Sequence, residues 1–361
     1  PLGLPNHDER LSTMKVISNL KSQISKLSNE RGVALVVVLW IFIFLFVVAF
    51  DFTASVREEG MATSRYAEEG EGYYLALAGF EKGLYRLLEG TTPEGQATRP
   101  RGPVRPPGSL TLSQEVVDGI WREESLGEGL YRVRLVDEGG KVNLNRAAED
   151  TLRRIFTNLG VEEPRRTILV DSILDWRDND NLHRVNGAEN DYYLSLSPSY
   201  TAKNGPFDTV EDLLWVRGVT PELFYGLQED GIRRAGLREI FTVDSPVDRV
   251  NLSTASAEVI HALLGLPLER SRAFVEERTK LSEKTQADLL RLLGVAAGDA
   301  AQRQFVLINP SVITIEAAGT RTGSASQRQV KGVIRLLGGN RGFQLIRWVD
   351  RAQGISDREE G

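Results

Sequence analysis

The chain has 361 residues, 41% of them hydrophobic, and its 50 Asp and Glu outnumber 44 Lys and Arg for a net charge of -6. That length exceeds one average domain, and a net negative charge gives no support to a broad nucleic-acid surface, which draws on concentrated Lys and Arg. The absence of cysteine excludes disulfides, thiolate catalysis and cysteine-ligated metals, and leaves the compartment open.

Residues 1–32 read as upstream sequence and a leader. PLGLPNHDERLST precedes Met14, the expected initiator, and MKVISNLKSQISKLSNERG forms a short basic leader. The apolar run VALVVVLWIFIFLFVVAF follows, from Val33 to Phe50. About 18 such residues, at roughly 1.5 Å of helical rise each, nearly span the hydrocarbon core of a bilayer. Lys15, Lys21, Lys26 and Arg31 precede it and Asp51, Glu58 and Glu59 follow it, which predicts a cytoplasmic N-terminus and an exported remainder. No convincing small-x-small cleavage site follows Phe50. A cut between Gly32 and Val33 would instead make the apolar run the new N-terminus, and NERG followed at once by VALVVVLW resembles the junction in type IV pilin-like precursors. The plainer alternative is an uncleaved signal anchor.

From Phe52 the pattern turns amphipathic. Tyr73, Leu77, Phe80, Leu84 and Leu87 recur at helical spacing with Glu81, Lys82 and Arg86 between them, predicting a spine helix with a core-packing stripe. Gly60, Gly70 and Gly72 predict a bend or melted patch within it. Gly90 to Gly108, with Arg99, Arg101 and Arg105, reads as a solvated basic loop. Residues Leu130 to Val136 alternate with the period of a half-buried strand and end at the turn Asp137 to Gly140. Next comes VNLNRAAEDTLRRIFTNLG at Val142, where Asn145 or a neighbour caps a helix. Its sibling at Val250, VNLSTASAEVIHALLG, makes a weak internal repeat with Glu149 or Glu258 near the helix start. Further helices are expected around Arg166 to Trp176, Val210 to Val216, Leu268 to Glu277 and Lys284 to Leu293. Val312 to Ala317, Gln329 to Leu337 and Phe343 to Val349 read as terminal strands separated by glycine-rich turns.

The fold class is therefore α+β. A membrane segment over 33–50 leads into a spine helix, loop and first strand over 51–141, a largely helical domain is inserted over 142–301, and an antiparallel sheet is completed over 302–361.

The densest polar cluster is DSILDWRDNDNLHRVNGAENDYY, from Asp171. Asp175, Asp178, Asp180, Glu189 and Asp191 could gather several oxygens around a hard cation, and Ca²⁺ suits such ligands outside the cytoplasm. A solvated acidic loop is the alternative. Glu189 is twelfth counting from Asp178, as in an EF-hand, but Leu182 and His183 occupy positions where an oxygen ligand and glycine belong, so an EF-hand is rejected. GVTPELF faintly resembles a helix-hairpin-helix. Thr220 replaces its second glycine and Glu222, Glu229 and Asp230 surround it, which favours a structural hairpin. His7 falls outside the expected mature chain, His183 lies in the acidic loop, and His261 reads as a surface or satisfied core side chain. No nucleophile elbow, zinc-protease motif or phosphate-binding loop occurs.

The order of these elements, with RG-VALVVVL, YYLALAGFEKGLYRLL, YRVRLVDEGGKVNLN, DWRDNDN with GAENDYY, and FDTVEDLLWVRGVTPELF, resembles the type II secretion system protein K family of minor pseudopilins. The resemblance covers most of the chain from Gly32. It implies a pilin-like domain bearing an inserted helical domain, a non-enzymatic role at the pseudopilus tip, and processing by prepilin peptidase between Gly32 and Val33 with N-methylation. It implies a single-pass location in the inner membrane of a Gram-negative bacterium, with the C-terminal domain in the periplasm. The implied partners are other minor pseudopilins and the major pseudopilin, with no nucleic acid, and calcium is implied in the helical domain. Most pilin-like subunits place a glutamate five residues into the mature chain; that place is Val37 here, as suits a first subunit with nothing above it. Val33 departs from the phenylalanine common at the cleavage point. Two rivals are a competence-type membrane-anchored DNA-binding protein, which needs a basic face near Gly218, and a membrane-tethered periplasmic hydrolase, which needs a carboxylate-lined pocket.

Overall fold

The computed structural model describes residues 7–89, 117–229, 232–281, 285–296, 299–337 and 342–351. The chain divides into two compact units, residues 1–67 and 68–361. The described part of the first is helical and belongs to helix α1 (His7–Glu89). This unit holds a stretch long and apolar enough to cross a membrane, and its large apolar side chains are exposed, Val37 by 50% and Phe42 by 65%. The glycines predicted to bend or melt α1 do not interrupt it: the helix is continuous through Gly60, Gly70 and Gly72. Within the second unit, Glu69 pairs with Arg328, Glu68 accepts a bond of 2.7 Å from Ser324 and Glu71 lies 3.2 Å from Arg321, which fasten this stretch of α1 to the sheet.

The sheet of the second unit has five antiparallel strands in the order β1 (Arg122–Leu126), β2 (Gly129–Asp137), β9 (Val312–Arg321), β10 (Gln327–Leu336), β11 (Phe343–Arg351). The four strands read from the sequence are present, and β1, whose REESL lacks an apolar alternation, was not foreseen. On one face Tyr131, Val133, Leu135, Ile313, Ile315 and Ala317 pack against Ala76, Phe80 and Leu87 of α1. The helix presents smaller residues than the predicted stripe: Gly72, Gly79 and Gly83 are buried and Leu77 only half-buried. A Cβ on Gly79 would lie 2.8 Å from the Tyr131 ring, so only a bare backbone approaches the sheet this closely.

Between β2 and β9 lies the helical region. It contains β3 (Val142–Asn143), α2 (Glu149–Asn158), α3 (Arg165–Arg177), α4 (Asn190–Leu194), α5 (Pro221–Tyr225), the hairpin of β4 (Gly226–Glu229) and β5 (Ile232–Ala235), α6 (Leu237–Ile240), β6 (Phe241–Thr242), β7 (Val250–Asn251), α7 (Ala257–Leu264), α8 (Leu268–Thr279), α9 (Gln286–Leu293) and β8 (Phe305–Val306). One continuous core, including Leu152, Phe156, Ile173, Phe224, Phe241, Val259, Phe274 and Phe305, holds it together. The boundary expected at 301 falls too early, because Phe305–Val306 pairs with Val250–Asn251 and so belongs to the helical region.

The weak repeat is a structural duplication. In each copy a two-residue VN strand pairs in parallel with a late partner, β3 with β6 and β7 with β8. Leu144 N–H then donates to Thr242 O at 2.8 Å, and Leu252 N–H to Val306 O at 2.9 Å. Two helices follow, and then the shared word T-x-x-D-L-L-x-x-x-G-V, at Thr209–Val219 and Thr285–Val295. Both threonine hydroxyls donate to the aspartate three residues on, and both glycines turn the chain at positive φ, 87° at Gly218 and 84° at Gly294. The expected cap at Asn145 is corrected: Ala148 holds the N-cap position of α2, and Asn145 instead exchanges bonds of 2.7 and 3.0 Å with the Phe207 backbone. The basic loop expected over 90–108 lies outside the described residues.

Candidate metal centre

The first copy carries a long acidic insertion between Arg177 and Thr209, where the second passes from Arg278 to Thr285. Helix α3 enters it with Trp176 stacked on Phe207 and edge-on to Tyr193, ring centroids 6.4 and 5.2 Å away. That aromatic base fixes the end of α3, with Asp178 at its C-cap and Glu189 at the N-cap of α4. One carboxylate oxygen from each of Asp178, Asp180 and Glu189 lies within 4.8 Å of the others. Glu189 is 1% exposed, and neither of its oxygens, nor Asp178 Oδ1, meets a donor among the described residues. Burial first, then the charges of Asp175, Asp178, Asp180 and Asp191, push the Glu189 carboxyl up to about 7.

The other two expected ligands stand outside this triad. Asp175 is fully buried and accepts from Arg184, at 2.7 Å from Nη1 and 3.1 Å from the backbone N–H. Burial raises its carboxyl above the usual range while Arg184 opposes the shift. Gly187 lies against it so closely that a Cβ would sit 1.8 Å from Asp175 Oδ2. Asp191 is exposed, and its carboxylate accepts from the Tyr192 N–H at 2.8 Å. Asp171, not among the expected ligands, accepts from the Asn186 N–H at 3.2 Å and shapes the same loop.

Arg184 also lies 3.0 Å from Asp178 Oδ2, which leaves Oδ1 of that carboxylate for another partner. Leaving a buried acceptor without a donor costs about 1–3 kcal/mol, more when it is charged, and three carboxylates this close repel one another. A cation relieves both costs. The donors are hard anionic oxygens, which fit Ca²⁺, and the triad supplies neither nitrogen nor sulfur for softer metals.

The remaining motifs resolve structurally. Thr220 Oγ1 accepts from the Leu223 N–H, and Arg165 donates to Gly218 O and Thr220 Oγ1, each at 3.3 Å, so the hairpin near Gly218 is occupied by its own side chains. His261 is half-buried with Nδ1 2.5 Å from Leu266 O, and His183 is exposed. On the sheet face opposite α1 a cleft of about 650 Å³ collects Glu138, Glu316 and Asp244. Each of these three carboxylates has a cation: Lys141 at 3.2 Å, Arg134 at 2.7 Å and Arg347 at 3.1 Å. Burial works against ionisation of Glu316, but Arg134, Lys331 and Lys141 hold its carboxyl well below the usual range. The cleft thus joins sheet to helical region through paired charges.

A family model described as Type II secretion system (T2SS), protein K matches residues 133–229, which take in the end of β2, the first copy of the repeat from β3 to Val219 and the acidic insertion. Over that stretch the chain is similar to the type II secretion system protein K family. It is 28% identical over 227 residues to the type II secretion system protein K of Pseudomonas aeruginosa, a match covering 58% of this chain and 64% of that relative. It is 26% identical to the protein K of Klebsiella pneumoniae, over 55% of this chain and 61% of that relative, and 23% identical to that of Pectobacterium carotovorum, over 70% and 77%. Among solved structures it is similar to a chain of the GspK-GspI-GspJ complex from enterotoxigenic Escherichia coli, with TM-score 0.56 and 16% identity over 81% of this chain and 99% of that one. At that identity the likeness extends to the fold.

Proposed function

We propose that this chain is a minor pseudopilin that caps the pseudopilus of a type II secretion system and helps start its assembly for export of folded proteins across the outer membrane. The observation that carries this is topological: the helical region interrupts the sheet between the neighbouring strands β2 and β9. A head of that bulk is unsuited to close stacking at every step of a filament and suited to its end. Val37 supports the same reading, because it offers no carboxylate at the position five residues into the expected mature chain.

In this reading residues 33–50 anchor the protein once in the inner membrane of a Gram-negative bacterium, the remainder faces the periplasm, and prepilin peptidase cuts between Gly32 and Val33. Other minor pseudopilins join it in a tip complex above the major pseudopilin, and it acts by binding, without catalysing a reaction. The structural relative's partners, GspI and GspJ, suggest the class of subunit. Calcium is the proposed resident ion, held by Asp178, Asp180 and Glu189, where it would supply charge compensation and lock the insertion onto the helical core.

The deciding experiment is the intact mass and N-terminal sequence of the protein expressed with and without prepilin peptidase. A peptidase-dependent chain beginning at Val33, with an added methyl group, is expected. A leader retained in both preparations overturns the pseudopilin reading.

A further inference from the structure

Four buried acceptor oxygens of carboxylate or amide groups lack a donor among the described residues, and all four belong to the acidic insertion: Asp178 Oδ1, both oxygens of Glu189, and Asn204 Oδ1. The fourth comes from a segment well beyond the carboxylates, in a residue of a type absent from the acidic triad. Asn204 is also the one described non-glycine residue at positive φ, 48°, a conformation that asparagine adopts more readily than most side chains.

Its amide is held in one orientation. Nδ2 donates to Asp180 O at 2.8 Å and to Asn181 Oδ1 at 2.9 Å. Both partners are acceptors, so the nitrogen must face them and the oxygen must face the other way. The surrounding backbone is pinned as well, by Ala202 N–H to Asn190 Oδ1 at 2.8 Å and Gly205 N–H to Trp176 O at 3.3 Å. The adjacent cation is engaged elsewhere: Lys203 Nζ lies 2.6 Å from Asp208 and 3.3 Å from Asp212. A left-handed backbone and two donated bonds thus hold the Asn204 amide against the Asp180 backbone, with a buried oxygen that meets no donor among the described residues.

We infer that Asn204 Oδ1 is a ligand of the calcium ion, binding together with Asp178, Asp180 and Glu189; this rests on the calcium reading above. Ca²⁺ takes six to eight oxygens and accepts amide oxygens among them. A fourth carboxylate would add repulsion to a site whose three charges already exceed that of the ion, whereas a neutral oxygen adds coordination alone. The ion would then bridge the carboxylate loop to the segment leading into Thr209, closing the insertion on itself.

The test uses the full chain in detergent micelles, with calcium affinity from calorimetry and inner-sphere waters counted from Tb³⁺ luminescence lifetimes in H₂O and D₂O. Asn204→Gly keeps the backbone conformation accessible and removes the oxygen. It is expected to weaken calcium by about 10- to 100-fold and to add one water to bound Tb³⁺. Asn204→Asp keeps an oxygen and loses the donor, and is expected to bind calcium more tightly than Asn204→Gly with the wild-type water count. If Asn204→Gly binds as wild type does, or binds more weakly with an unchanged water count, the residue serves only the fold and the inference is wrong. If Asn204→Gly does not fold, Asn204→Asp decides: an added water there rejects ligation. A wild-type chain that binds neither Ca²⁺ nor Tb³⁺ overturns the calcium reading itself, an outcome separate from the other two.

Discussion

Arg177 and Arg278 occupy the same place in the two copies of the helical unit. Arg177 donates to Leu144 O at 2.5 Å and Ala147 O at 2.6 Å, and Arg278 donates to Leu252 O at 3.1 Å and Ala255 O at 2.5 Å. Each guanidinium ties the end of a helix to the VNL turn that opens its own copy. Burial lowers Arg278 to about 10, so it remains charged at neutral pH. Arg278→Met leaves two carbonyls without a donor and is expected to destabilise the chain by about 2–4 kcal/mol. Arg177→Met, at a less buried position, should cost less. Urea unfolding midpoints measure both, and equal midpoints for wild type and Arg278→Met would show the bonds to be dispensable.

Glu189 sets a pH dependence whose sign reverses with the ion. Without calcium its folded-state carboxyl titrates at about 7 against an ordinary 4.5, so the folded chain holds a proton that the unfolded chain releases. Its contribution to stability is full below about 4.5 and is lost as pH rises through about 7. Calcium binding requires the carboxylate, so affinity should fall as pH drops below about 7, with proton release on binding. Calorimetry in buffers of different ionisation heat detects that proton. Glu189→Gln should abolish the proton release and most of the affinity; unaltered binding in this variant would remove Glu189 from the site.

Chelation gives the simplest thermodynamic check. Calcium at 100 times its dissociation constant adds about 2.7 kcal/mol to folding, so EGTA should lower the thermal midpoint of the helical region. An unchanged midpoint, together with no calcium in elemental analysis of the purified chain, would leave the carboxylates as a solvated loop.

Gly187 and Gly79 mark two places where a single carbon is too many. Gly187→Ala drives a Cβ to 1.8 Å from the buried Asp175 carboxylate, and Gly79→Ala places one 2.8 Å from the Tyr131 ring. Each should cost about 1–3 kcal/mol, the first with weakened calcium affinity and the second without it. Gly70→Ala meets nothing within 4 Å and, at a half-buried helix position with room for a methyl group, should stabilise by up to about 1 kcal/mol. Thermal melts of the three variants test that ranking.

Elements with strong periodicity were legible in the sequence: the terminal strands, the strand at Leu130 to Val136, helix α3 and the apolar run all follow from their patterns. The docking face of α1 was legible in part: Phe80 and Leu87 are in the core with Tyr73 and Leu84 packed against it, whereas the glycines and alanines of the close helix-sheet approach carry no hydrophobic period. Strand β1 was missed because an edge strand needs only backbone partners on one side. The acidic insertion was visible as a cluster. Its division between Asp175, neutralised by Arg184, and the triad around Glu189 depends on which carboxylate the loop turns towards an arginine, information that only the fold supplies. Asn204 gave one faint signal, its place before Gly205 in a polar turn.

The sheet order has a consequence for when the protein becomes whole. Strand β2 pairs with β9, although the entire helical region separates them in the chain. Closing so long a loop is entropically slow compared with forming local contacts, and the chain is synthesised from its N-terminus. Both copies of the helical unit can therefore assemble from nearby partners while the middle of the sheet still waits for β9 to β11. During that interval the parts of α1 that meet β9 and β10, at Gly72 and Phe80, have no cover, so the last strands to be made set the time for which the spine remains open to misassembly.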